Sequence, residues 1–135
     1  MSIKTVDNYS IDLSNLLGQG SFARVYKAYD MRDPNIEAAV KMISAVKLQK
    51  SKDDMNLFMR EIEVLRQIKG EHIAQLLDVK TTVNNLYIFT EFCNGGTLKE
   101  LSKKKVFSEE EACSIINRSQ RHLSTCLQLA EMGIR

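Results

Sequence analysis

The chain has 135 residues, 44% hydrophobic and 27% charged, with a formal net charge of +2; it fits one soluble domain with a usable core, and its charge is too small to argue for nucleic acid or a membrane surface. Three cysteines, odd in number and without C-x-x-C spacing, exclude a disulfide framework or a zinc cluster and suit free thiols in a reducing, cytoplasmic setting. The N-terminus has no apolar core for a signal peptide, and no apolar run reaches the roughly 18 residues of a membrane span.

Residues 1–8 are polar and are expected to be a flexible leader. Residues 9–17 read as a strand that runs into Leu17-Gly18-Gln19-Gly20-Ser21-Phe22-Ala23-Arg24-Val25. Glycines at positions 18 and 20 permit backbone conformations closed to residues with a Cβ, so such a loop can fold low over a ligand. Its free N–H groups can cradle phosphate oxygens. The letters alone also fit a dinucleotide fingerprint, which needs a helix opening at the loop and an acidic residue about 20 positions on. Instead, residues 22–29 are aromatic and β-branched, Asp33-Pro34-Asn35 predicts a turn, and residues 37–43 predict another strand. Near the acidic position stands Lys41, the wrong charge for a ribose hydroxyl and the right one for a phosphate.

Ser51-Lys52-Asp53-Asp54 forms a capping box, followed by Phe58, Ile62 and Leu65 on one helical face. Gly70 is the expected stop. Glu61 borders that apolar stripe; by itself it reads as one more solvated helix carboxylate. Residues 73–82 and 86–92 predict two strands linked through Val83-Asn84-Asn85, the second almost continuously apolar. Lys103-Lys104-Lys105 reads as a solvated helix end. Ser108-Glu109-Glu110-Glu111 is a second capping box, with Ala112, Ile115 and Ile116 facing inward and Leu123, Leu127 and Ala130 continuing the stripe. His72 and His122 have no partner cluster, so no metal site is expected.

L-G-Q-G-S-F-A-R-V together with A-A-V-K resembles the start of a eukaryotic protein kinase domain. The resemblance runs from Leu17 to about Leu101, with Ala23 in place of the third loop glycine. It implies an α+β fold: a kinase-like small lobe with a five-stranded, mostly antiparallel sheet and one packed helix, then two helices of an incomplete large lobe near residues 97–103 and 108–130. The implied division is a leader at 1–8, an ATP-binding lobe at 9–93, and a hinge exit with partial large lobe at 94–135. By the same resemblance, Gly18, Gln19, Gly20, Ser21, Phe22 and Ala23 cover the ATP phosphates. Leu17, Val25 and Ala39 wall the adenine, Thr90 gates the back of the pocket, and the backbones of Glu91 and Cys93 bind the adenine edge. Lys41 meets the phosphates and is held by Glu61. The implied partner is a protein substrate, phosphorylated on serine or threonine.

Residues 129–134 resemble the run-up to the family's catalytic loop, but no H-R-D, downstream asparagine or D-F-G occurs in these 135 residues. The catalytic base and the Mg²⁺-binding residues are therefore expected beyond Arg135. The chain alone is expected to be catalytically incompetent, with Ile115, Ile116, Leu123 and Leu127 more exposed than in a complete kinase. The alternative is a truncated, non-catalytic kinase-like interaction or regulatory module. A dinucleotide oxidoreductase domain is disfavoured because no helix follows the glycines.

Overall fold

The computed structural model describes residues 2–20, 23–70, 73–95 and 98–117. In chain order they form β1 (Ile3–Val6), β2 (Tyr9–Gln19), β3 (Ala23–Asp30), β4 (Asp33–Ser44), α1 (Ala45–Gln49), α2 (Lys52–Gln67), β5 (Leu76–Thr81), β6 (Asn85–Glu91) and α3 (Leu98–Lys104). A further helix, α4, covers residues 109–117. The strands make one sheet in the order β1-β2-β3-β4-β6-β5, antiparallel at every step. The architecture is α+β, as the kinase-like pattern implies.

The sheet has six strands rather than five. Residues 3–6, expected to be a loose leader, pair with β2 as an edge strand. Asp7-Asn8 supplies the two-residue hairpin, and Asp7 takes a φ of 52°, a left-handed conformation that aspartate tolerates better than bulkier residues. The turn between β3 and β4 falls at Met31-Arg32, ahead of the expected Asp33-Pro34-Asn35. Those residues instead lie in a register shift at the start of β4, where proline's missing N–H interrupts no regular ladder.

Alternation along the strands builds two cores. On one face Tyr9, Ile11, Tyr26, Ala28, Val40 and Phe89 are buried together. Tyr9 and Phe89 stack with ring centroids 3.9 Å apart, although β3 and β4 separate their strands in the sheet. The sheet is therefore curled. Lys80 on β5 reinforces the curl by reaching Asp7 in the first hairpin at 2.6 Å.

On the opposite face α2 packs through Phe58 and Ile62 against Ile43, Ile88 and Leu48. The Ser51 hydroxyl accepts from the Asp54 amide at 3.3 Å, as the capping box predicts. Asp53 and Asp54 in the first turn suit the positive end of the helix dipole. The helix ends at Gln67, with Ile68 as an extended cap, before Gly70 is reached. The short α1, capped by Ser44, was not anticipated; its Leu48 fills the space beside Phe58.

Two side chains in this framework yield stability predictions. The buried Asp30 carboxylate accepts from the Arg32 amide and guanidinium and from Asn8, tying β3 to the first hairpin. Those donors, the Arg32 side chain first, hold its pKa at about 2. A depressed folded-state pKa gives stability that is present above the ordinary carboxylate range and lost as pH falls toward that value. The difference in urea midpoint between the wild-type chain and Asp30→Asn should shrink as pH is lowered from 5 through about 4 to about 2. Tyr87 is fully buried, and its hydroxyl lies near Lys4, Thr82 and Asn85 without meeting hydrogen-bond geometry with a described residue. A buried, unsatisfied hydroxyl costs roughly 1–3 kcal/mol. Tyr87→Phe should therefore raise the thermal midpoint, and an unchanged or lower midpoint would contradict this.

Candidate nucleotide site

Strand register decides which side chains can share a site. Gly18, Val25, Lys41 and Ile88 form one row of successive cross-strand partners over β2, β3, β4 and β6. Lys27, Ala39 and Thr90 form the row two residues along. Residues two apart on a strand face the same way, so Val25, Ala39, Lys41 and Thr90 occupy one continuous patch. It is the face that carries α2.

Helix α2 covers only the part of that face around Ile43 and Ile88. Glu61 stands next to the buried Ile62, at the margin of the helix's apolar stripe. From there its Oε1 meets Lys41 Nζ at 3.1 Å. The pair is half exposed, at 38% for the lysine side chain and 47% for the glutamate. Pairs that open to water contribute roughly 0–1 kcal/mol, so this one orients Lys41 more than it stabilises the fold. A cavity of about 290 Å³ opens beside it, lined by Gly20, Ala23, Lys41, Asp54, Phe58 and Glu61.

The tip between β2 and β3 is closed by the Gly20 amide, which donates to the Ala23 carbonyl at 2.8 Å. Neither Gly18 nor Gly20 has φ in the left-handed region. A Cβ at Gly18 would meet nothing within 4 Å, and one at Gly20 only the Ala23 carbonyl at 3.9 Å. The expectation that these glycines supply a conformation closed to other residues is therefore corrected: their own backbone does not require glycine. Gln19 is the register partner of Arg24, and Leu17 is 42% exposed. Ser21 and Phe22 lie outside the described residues.

At the far end of the patch, chain direction is set by Glu91 and its neighbours. The Glu91 amide donates to the Gln75 carbonyl at 3.0 Å, and its carboxylate accepts from the Gln75 amide at 3.1 Å. The Phe92 amide donates to the Glu37 carbonyl at 3.4 Å. Lys27 Nζ sits 4.6 Å from the Phe92 ring centre and 3.3 Å from Glu37. Partial burial works against the Lys27 charge, but Glu37 and Tyr29 outweigh it and raise its pKa. This bracing of Phe92 by Lys27 and Glu37 was missed at the level of sequence, because only strand register brings the three together. Cys93 follows as an exposed residue.

Beyond it, α3 and α4 border an open apolar groove lined by Leu98, Phe107, Ala112, Ile115 and Ile116. Ser108 caps α4 by accepting from the Glu111 amide at 3.2 Å. Ile116 is 55% exposed and Ile115 half-buried; Leu123 and Leu127 lie outside the described residues. Among the described residues no three His, Cys, Asp or Glu side chains gather as a metal site. No helix of the described residues is long and apolar enough to cross a membrane.

A curled antiparallel sheet with a glycine turn at its edge, and a mid-sheet lysine paired to a glutamate on the one long helix, defines a protein-kinase-type small lobe. The sequence model of the protein kinase domain matches residues 11–129, and the chain belongs to that family. It is 34% identical over 108 residues to serine/threonine-protein kinase ULK1 of Homo sapiens, covering 79% of this chain and 10% of that protein. It is 37% identical over 101 residues to human serine/threonine-protein kinase ULK3, covering 74% and 21%. Serine/threonine-protein kinase ATG1 of Kluyveromyces lactis is 38% identical over 99 residues, covering 73% and 11%. The chain thus spans between 10% and 21% of the length of these curated relatives.

If hydrophobic packing of α2 places Glu61, loss of that packing must cost far more than loss of the ion pair. Phe58→Ala should destabilise the chain by about 3 kcal/mol, while Glu61→Gln should cost less than about 1 kcal/mol. Denaturant unfolding of the two variants checks the ratio; equal costs would refute it.

Proposed function

We propose that this chain is the ATP-binding lobe of a serine/threonine protein kinase, and that the 135 residues by themselves bind ATP weakly and transfer no phosphate. The observation that carries the reading is the Lys41–Glu61 pair at 3.1 Å beside a cavity bounded by Gly20 and Ala23. In this reading Gly18, Gln19, Gly20, Ser21, Phe22 and Ala23 cover the phosphates with backbone donors. Lys41 neutralises phosphate oxygens and Glu61 keeps its ammonium aimed at them. Leu17, Val25 and Ala39 wall the base, Thr90 limits depth behind it, and the backbones of Glu91 and Cys93 read its edge. The gap left open by two glycines whose own conformation does not need them fits the close approach of a ligand.

Kinase chemistry is mostly positioning and charge neutralisation around the transferred phosphoryl group. Among the described residues that line the cavity, Lys41 is the one cation, while Asp54 and Glu61 supply two carboxylates. A polyphosphate there needs further positive charge. The family supplies it with Mg²⁺ held by the D-F-G aspartate and an asparagine, and neither motif occurs in these residues. Among the described residues no three His, Cys, Asp or Glu side chains gather to hold such an ion. The acceptor hydroxyl of a protein substrate likewise lacks its orienting aspartate. Free, exposed Cys93 and Cys113 suit a cytoplasmic location.

Fluorescence titration with an ATP analogue and a radiolabelled transfer assay test the reading. Weak saturable binding, lost in Lys41→Met, together with no turnover, is expected. Turnover abolished by Lys41→Met would overturn the incompetence. A folded chain that binds no nucleotide would favour the interaction-module alternative. Gly18→Ala should leave the thermal midpoint unchanged or slightly higher and weaken the nucleotide analogue several-fold.

A further inference from the structure

The glycine turn has a second cavity on its other side. Gly20 and Ala23 line both spaces. The second, of about 330 Å³, is bounded by Gln19, Arg24, Met42, Ser44, Lys47 and Asn85. Arg24 and Met42 are register partners one residue along from Val25 and Lys41, so they point to the opposite face of the sheet. The cleft therefore lies behind the turn, away from the Lys41–Glu61 pair.

Among the described residues, two cations and no carboxylate line the cleft. Lys27, Arg32, Lys41, Lys80 and Lys105 each hold a carboxylate. Arg24 and Lys47 hold none among the described residues, and no acidic side chain lines the cleft. The Ser44 oxygen accepts from the Lys47 amide at 3.5 Å, which leaves its proton to donate. Gln19 and Asn85 add side-chain amides, which can donate as well. Two uncompensated cations and several neutral donors around a concavity suit a dianionic tetrahedral oxyanion. Met42 and Ala23 are the apolar part of the lining among the described residues.

We propose that this cleft binds a phosphorylated serine or threonine side chain on a polypeptide segment. Arg24 supplies the planar, multi-donor contact and Lys47 the second charge. Because Gln19 and Gly20 belong to the glycine turn while Ser44 and Lys47 belong to the end of β4 and α1, an occupant bridges them. It restrains the turn against the sheet. That consequence, tighter nucleotide binding when the cleft is filled, rests on the ATP-site reading above; the phosphate site itself does not.

Amide chemical-shift titrations of the wild-type chain with a phosphoserine heptapeptide, its unphosphorylated form and inorganic phosphate test the proposal. Saturable shifts at Gln19, Arg24, Lys47 and Asn85 are expected with the phosphopeptide alone or with far higher affinity than inorganic phosphate. Arg24→Gln/Lys47→Gln should weaken this at least tenfold, a change of about 1.4 kcal/mol, with an unchanged circular dichroism spectrum. Arg24→Lys should restore part of it. Lys41→Met should leave phosphopeptide binding intact even where it removes ATP binding, which separates failure of the cleft from failure of the nucleotide site. Equal affinity for inorganic phosphate and phosphopeptide would overturn the polypeptide ligand. Absence of saturable shifts at these four residues, or their persistence in the double variant, would overturn the site.

Discussion

The seam between α2 and the sheet sets the geometry of everything around the cavity. Phe58 and Ile62 lie one helical turn apart and enter the space between Ile43, Ile88 and Leu48. Ile43 is two residues beyond Lys41 on the same strand, and Ile88 is the cross-strand partner of Lys41. The apolar contacts that seat the helix therefore touch the strand segment that carries the lysine. Glu61, adjacent to Ile62, can only emerge at the margin of this seam. Burying two large apolar side chains contributes several kcal/mol, against roughly 0–1 kcal/mol for a half-exposed ion pair. Packing holds the helix, and the ion pair registers where packing has put it.

The curl of the sheet follows from a different set of contacts. Tyr9 stacks on Phe89 across the concave face, and Lys80 reaches from β5 to Asp7 in the first hairpin. Asp30 then ties the end of β3 to Asn8 in that same hairpin. The edge hairpin is thus anchored at its turn as well as along its ladder. With the concave face filled by aromatic and branched side chains, the other face is left to α2 and to the candidate nucleotide patch.

Charge is distributed unevenly about the glycine turn. Among the described residues, one lysine and two carboxylates line the cavity in front, while an arginine, a lysine and no carboxylate line the cleft behind.

Much of this was legible in local pattern. Alternation in residues 9–17 and 37–43, the Ser51 and Ser108 caps, and the stripe of Phe58 and Ile62 each express an energy between residues close in the chain. Those elements appear where the pattern puts them, and the glycine turn with Lys41 and Glu61 was identifiable as a kinase-type set. The hairpin of β1 was discounted because four polar-flanked residues have little local preference; its partner strand and the contact of Asp7 with Lys80 make it a strand. The Met31-Arg32 turn displaced the expected Asp33-Pro34-Asn35 turn because Asp30 could satisfy the Arg32 amide and guanidinium together. The 3.1 Å approach of Lys41 to Glu61, the brace of Lys27 on Phe92, and the shared cleft of Arg24 and Lys47 belong to the tertiary structure alone. Each joins groups whose interaction energy exists only after register and helix docking have brought distant parts of the chain together, so no local pattern could carry it.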